Sequence, residues 1–298
     1  MTVLVDFSQV ALGACMQFQN DLKTGSDDKI VSLIRHVVLS SLLSTKKKFS
    51  QKYGNLVICC DGKNYWRKDI FQFYKASRSK NREKSDLNWK LIFDTLSSLR
   101  DDLAENFSYK VVHVDKAEAD DIIGVITPWL QENELVHVGL DEEPQKILIL
   151  SSDQDNFQLH KYKNVQQWSP QQKKFVKPAS AHEALYEKIC CGDAGDGIPN
   201  IMSDDDVFVM DNKRQRPFKK ARLKDFYENG FVACKTDEER RNFHRNISLV
   251  SYDFIPEELK KKIITTYNTQ EVKGSRQKIM QYLIKHKCRN LLENIEEF

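Results

Sequence analysis

Long apolar runs are missing from this 298-residue chain. The longest, such as Ile147 to Leu150, fall far short of the roughly 20 residues that span a bilayer. Met1 leads straight into Thr2-Val3-Leu4-Val5-Asp6, without the basic and apolar regions of a secretory signal. Neither membrane insertion nor secretion is expected, and a cytoplasmic location is. Glycine and proline are scarce, at 11 and 7 residues, which excludes collagenous and low-complexity classes. The seven cysteines are odd in number and show no C-x-x-C spacing, so neither a disulfide framework nor a zinc site is indicated. No internal repeat is visible. No sign of charge dominates either, since 46 Lys and Arg against 43 Asp and Glu leave +3. What remains, at 40% hydrophobic and 30% charged, reads as a soluble globular protein of one large domain or two unequal ones.

The charges are sorted along the chain. Between Lys63 and Lys84 eight Lys/Arg stand against two acids, interleaved with Tyr65, Trp66, Phe71, Phe73 and Tyr74. A charge run is usually a solvated face, but cations mixed with stacking surfaces are what a nucleic-acid strand requires. A second block, Lys213 to Lys224, holds seven cations and no acid.

Four short runs rich in Val, Ile and Leu have the length of strands buried on both faces: Thr2 to Phe7, Asn55 to Cys60, Lys110 to Val114 and Lys146 to Leu150. Helical periodicity lies between them, over Ile30 to Phe49 and Trp89 to Leu103. Strand, long crossover, strand predicts an α/β fold with a mostly parallel central sheet and helices on both faces. Strand signals fade after Trp168-Ser169-Pro170. From Ala181 onward the chain reads as helices broken near Gly192 to Pro199, Gly230 and Pro256, which places a boundary near Ser180.

Each of the four runs ends in acid: Asp6; Asp61; Asp115 followed by Glu118, Asp120 and Asp121; and Asp153 with Asp155. Ligands of open parallel sheets bind at the carboxyl ends of the strands, where these acids would converge. Clustered carboxylates need a cation to neutralise them, and oxygen ligands without His or Cys favour Mg²⁺ or Mn²⁺. A lone Asp after a strand is more often a turn former or helix cap. Asp120 and Asp121 also suit the first turn of a helix over Ile122 to Leu130. Recurrence after four strands favours a metal cluster, although spacing alone does not say which of Glu118, Asp120 and Asp121 reach it. Gly192-Asp193-Ala194-Gly195-Asp196-Gly197 adds two acids on a turn whose small residues let backbone N–H groups approach a phosphate.

In this order the motifs resemble the flap endonuclease / 5′-nuclease family, whose catalytic fold is PIN-like. Tyr65-Trp66-Arg67-Lys68-Asp69, Gln158-Leu159-His160-Lys161-Tyr162, Gln167-Trp168-Ser169-Pro170 and Glu297-Phe298 extend the likeness to a phage member over nearly the whole chain. The resemblance implies a catalytic domain over 1–180 with a helical arch at about 62–90. It implies a smaller α-helical DNA-binding domain over 181–298, with a helix-three-turn-helix-like element. By the same likeness Asp6, Asp61, Glu118, Asp120 and Asp153 surround one metal, and Asp121, Asp155, Asp193 and Asp196 a second or its waters. Lys75 and Arg78 of the arch face the scissile phosphate, and Tyr74 a base. One departure concerns the potassium ion that often accompanies the family's Gly-Asp-x-x-Asp turn. Here Gly197-Ile198-Pro199 runs into Asp204-Asp205-Asp206 and the second basic block, which puts the K⁺ site in question. Lys213, Arg214, Arg216, Lys219, Lys220 and Arg222 then offer another grip on duplex.

The implied activity is 5′ to 3′ exonuclease and flap endonuclease action on RNA–DNA hybrids and on duplex, flap or forked DNA. Two Mg²⁺ ions serve it, with Mn²⁺ as a substitute. The implied role is removal of RNA primers from lagging-strand fragments in phage replication, by a monomer in the host cytoplasm, with a single-stranded-DNA-binding protein as partner. A PIN-like ribonuclease is the rival enzyme, but is usually shorter and lacks the arch and the Gly-Asp-x-x-Asp domain. A haloacid-dehalogenase phosphatase would want Asp-x-Asp where Asp6-Phe7-Ser8 stands. A catalytically silent duplex-binding protein would have lost acids, and none of the expected acids is absent.

Overall fold

The computed structural model describes residues 1–138 and 141–298. In chain order the elements are β1 (Thr2–Asp6), α1 (Phe7–Met16), α2 (Gln19–Thr24), α3 (Asp27–Tyr53), β2 (Asn55–Cys60), α4 (Arg67–Ile70), α5 (Ser77–Glu83), α6 (Trp89–Asn106), β3 (Lys110–His113) and α7 (Ala119–Asn133). There follow β4 (Leu135–Val138), β5 (Asp141–Pro144), β6 (Ile147–Leu150), β7 (Val165–Ser169), β8 (Lys174–Val176), α8 (Ala181–Cys191), α9 (Leu223–Asn229), α10 (Asp237–Val250), α11 (Glu257–Thr269) and α12 (Arg276–Lys285). Six strands form one sheet in the order β3-β2-β1-β6-β7-β8, parallel except for β8, and β4 with β5 makes a separate antiparallel pair. The four strands read from the sequence are its first four, because runs such as Ile147–Leu150 are buried along their length and need cover on both faces.

One face is covered by α1, α3 and α6 through Ile34, Leu39, Leu42 and Leu99, the other by α7 through Ile122, Ile123 and Ile126. The C-terminal segment completes both. Tyr252, Leu259, Ile263 and Tyr267 join the α7 face, while Tyr282, Leu283, Leu291 and Phe298 join the α3/α6 face. A third cluster packs α8, α9 and α10 around Ile189, Phe226 and Phe243, and takes in Phe71 and Tyr74. Among the described residues no helix is long and apolar enough to cross a membrane.

Four strands, β4, β5, β7 and β8, were not legible in the sequence. β7 reads Val-Gln-Gln-Trp-Ser, too polar for a buried run, yet Gln167 is fully buried because its amide donates to the carbonyls of Ser151 and Asp153 at 2.9 and 2.8 Å. It holds the loop after β6. The helix-three-turn-helix-like element has its first helix, α8, and its turn, closed by the Asp193–Ile198 bridge. The next helical residues come only at Lys220–Arg222.

Candidate metal centre and arch

Parallel pairing turns the C-terminal ends of β1, β2, β3 and β6 to one edge of the sheet. Asp6 ends β1 and caps α1, accepting the Gln9 N–H at 3.1 Å and the Ser151 hydroxyl at 3.2 Å. Asp61 accepts the Ala119 N–H at 2.9 Å, which ties the β2 loop to the start of α7. Asp153 accepts the Asp155 N–H, also at 2.9 Å. Asp120 takes the Asn156 amide at 2.9 Å, and Asn156 in turn accepts the Tyr252 hydroxyl at 3.1 Å. Capping and clustering are therefore one arrangement. The caps fix each carboxylate's position, and the sheet brings them together.

Proximity shows in their acidities. Burial, with Asp61 and Asp153 adding to it, pushes Asp6 up to about 7. Asp120 is raised well above the ordinary range by burial and then by Asp153, Asp6 and Asp155. Burial also takes Asp155 to about 7, against the pull of Lys188 and with the help of Asp153 and Asp196. Such a set is stable as anions only beside cations.

Two groups of protein cations stand there. Lys188 of α8 contacts Asp155, lies 2.7 Å from Asp193 and 3.7 Å from Asp153. Asp155, Asp193 and Asp196 each offer an oxygen within 4.8 Å of the others. Burial raises the Asp193 carboxyl, but Lys188 and the N–H groups of Asp196 and Gly195 outweigh it and leave the group low. From the arch, Lys75 pairs with Glu118 and reaches Asp196 at 3.6 Å, while Arg78 meets Asp196 at 2.5 Å. The loop and the arch touch directly. Lys75 donates its N–H to the Asp196 carbonyl at 2.8 Å, and Gly197, at φ +72°, lies where a Cβ would meet the Phe73 carbonyl at 2.9 Å.

The nine acids are thus sorted. Asp6, Asp61, Asp120, Asp153, Asp155, Asp193 and Asp196 form one electrostatically linked group. Glu118 is buried behind cations, with Arg67 and the Tyr74 hydroxyl each at 2.8 Å, and these and Lys75 leave its carboxyl low although burial raises it. Asp121 is not brought to the open group. It is fully buried and committed to Arg67 at 2.8 Å, the Trp66 indole N–H at 3.0 Å and the Glu118 N–H at 2.9 Å. Tyr74 departs from the expected base-facing position, since its ring is 3% exposed within the α8–α10 cluster.

The second basic block does not stand free of acids. Lys213 pairs with Asp204 and Asp206, Arg216 with Asp204 and Glu238, Lys220 with Glu187, and Arg222 with buried Glu239. Arg214 and Lys219 are exposed, and neither makes an ion pair among the described residues. Sequence reasoning missed Lys188, whose only signal is its place one turn before Asp193 on α8. It also missed Arg67, which sits in a run of cations that nothing local marks as buried.

Residues 1–188 match the family model of the 5′-3′ exonuclease N-terminal resolvase-like domain, and residues 179–298 that of the T4 RNase H C-terminal domain. Ribonuclease H of Enterobacteria phage T4 is 33% identical over 305 residues, covering 99% of this chain and 95% of its own. Among solved structures, the T5 D15 protein co-crystallised with metal ions superposes with a TM-score of 0.62 at 15% identity, over 89% of this chain and 99% of that one. Bacteriophage T5 flap endonuclease in a pseudo-enzyme–product complex with DNA and metal ions gives 0.53 at 15% identity over 99% of each chain. At these identities the structural likeness speaks for the fold.

Proposed function

The chain belongs to the 5′-3′ exonuclease family of nucleases, and from that premise we propose that it hydrolyses phosphodiester bonds near 5′ ends in RNA–DNA and DNA duplexes. It acts as exonuclease and flap endonuclease, and removes RNA primers from lagging-strand fragments in phage replication. In this reading 1–180 carries the chemistry and 181–298 contacts duplex. The protein works as a monomer in the host cytoplasm beside a single-stranded-DNA-binding protein. The observation that carries the reading is the set of strand-end carboxylates, held together at the cost of raised pKa values that divalent cations relieve.

The donors fit Mg²⁺, with Mn²⁺ as substitute, because all are oxygens and none is His or Cys. Asp6, Asp61, Asp120 and Asp153 would hold one ion, with Glu118 behind them, and Asp155, Asp193 and Asp196 the other. Asp121 supports them by fixing Arg67 and the start of α7. Two such ions would supply a water of lowered pKa and stabilisation of the leaving oxygen. The chain's own part is positioning. Lys75 and Arg78 exchange carboxylate partners for the phosphate and offset its developing charge, and Lys188 yields its carboxylates when a cation enters. Tyr74 orients Glu118 and Asp196 by its hydroxyl.

A 5′-labelled flap and an RNA–DNA hybrid, each incubated with Mg²⁺ and with EDTA, test the reading. Shortening from the 5′ end with Mg²⁺ alone is expected. Asp153→Asn, which keeps the capping oxygen, should bind duplex and not cut it. Cutting in EDTA, or by this variant at the wild-type rate, overturns the assignment.

A further inference from the structure

The turn from Gly192 to Ser203 presents backbone carbonyls to one face of α10. There Asn242, Arg245 and Asn246 stand at i, i+3 and i+4, the spacing that places side chains together on a helix. Asn246, fully buried, donates its amide to the carbonyls of Ile189 and Pro199 at 2.7 and 2.8 Å. Asn242, also fully buried, donates to Ile201 and Ser203 at 3.0 and 3.1 Å. The Arg245 guanidinium donates to the Pro199 carbonyl at 3.0 Å and to Asn246 Oδ1 at 2.9 Å, pairs with Asp205, and lies 5.5 Å from the centre of the Phe71 ring.

Converging carbonyls are what a monovalent cation requires, but these already have N–H donors. A potassium ion brought among them would lose its ligands and face a fixed positive charge. The residues do not fit K⁺. We infer that Arg245 is the cation of this turn: its guanidinium, set by the two asparagines, shapes the duplex-contacting backbone that a diffusible ion would otherwise have to order. The consequence is a grip on duplex indifferent to which monovalent ion is present. Arg245 is a positioning residue, and the inference rests on the reading that this turn lies against duplex.

Binding of a fluorescent hairpin duplex in EDTA, at one ionic strength set in turn by K⁺, Na⁺, Li⁺ and tetramethylammonium chloride, tests it. Wild-type affinities should agree within about twofold, because counterion release depends on ionic strength rather than on which monovalent ion supplies it. Arg245→Ala, checked by circular dichroism for an intact fold, should bind about tenfold more weakly, the scale of one hydrogen bond to a charged group. A clear wild-type preference for K⁺ over tetramethylammonium overturns the inference, as does wild-type affinity in folded Arg245→Ala. Should Arg245→Ala not fold, the wild-type series decides alone. Absence of duplex binding in every salt instead overturns the reading beneath the inference, and a K⁺ preference overturns the inference only.

Discussion

Asp6 and Asp155 set how the centre responds to acid. Each titrates near 7 in the folded protein against an ordinary 3.8, so between these values the folded state holds protons that the unfolded chain has released. Their stabilisation is complete below 3.8 and lost as pH rises through 7. His113, His160 and His286, lowered by burial, act in the opposite sense over part of this window. The clean readout is therefore a difference. In EDTA, Asp6→Asn should gain melting temperature over wild type progressively from about pH 4 to about pH 7 and level off above it, and the gain should vanish in Mg²⁺. A difference that does not grow with pH removes Asp6 from the coupled set. Lys75 is the second residue to probe. Lys75→Ala should cut turnover by roughly 100-fold if it meets charge developing in the transition state. A change confined to KM would make it a binding contact. Because Lys75 sits at φ +55°, Lys75→Gly is the control that removes the ammonium without backbone strain.

At the scale of elements, the segment 213–222 divides into exposed cations and structural ones. Arg214→Ala with Lys219→Ala should flatten the slope of log duplex affinity against log salt by up to about two units and leave stability alone. Arg222→Ala should leave that slope unchanged and cost about 2 kcal/mol of stability, because it strands the buried Glu239 carboxylate. The reverse pattern in chemical denaturation and salt titration would exchange their roles. This segment shows why legibility was uneven. β1, β2, β3 and β6 announced themselves because a strand covered on both faces must be apolar throughout. The acids after them followed from the topology those strands imply. Nothing local could show that Asp204, Glu187 and Glu239 would fold against cations up to 33 positions away. Nor could spacing show that Asp121 would turn inward to Arg67 and Trp66 while Asp120 turned to the cluster. Tyr74 looked like a stacking surface because aromatics among cations do; its burial depends on α8 and α10, more than 100 residues downstream.

Across the whole molecule, residues 252–298 cover both faces of a sheet whose strands end at Val176. Phe298 is 3% exposed, with its ring 5.3 Å from that of Phe107. Phe298→Ala should destabilise the protein by about 3 kcal/mol, the scale of an aromatic deleted from a core, and lower the temperature at which cleavage is lost. Unchanged thermal denaturation would mean that this ring contributes nothing to the core. The same wrapping has a kinetic consequence. On the ribosome the cover of both faces stays incomplete until Tyr252 onward has been made, a wait on the order of seconds at ordinary rates of synthesis. The carboxylates at the sheet's edge are held in their final arrangement only when the downstream segment arrives, with Lys188 beside Asp155 and Asp193 and the Tyr252 hydroxyl on the Asn156 that donates to Asp120.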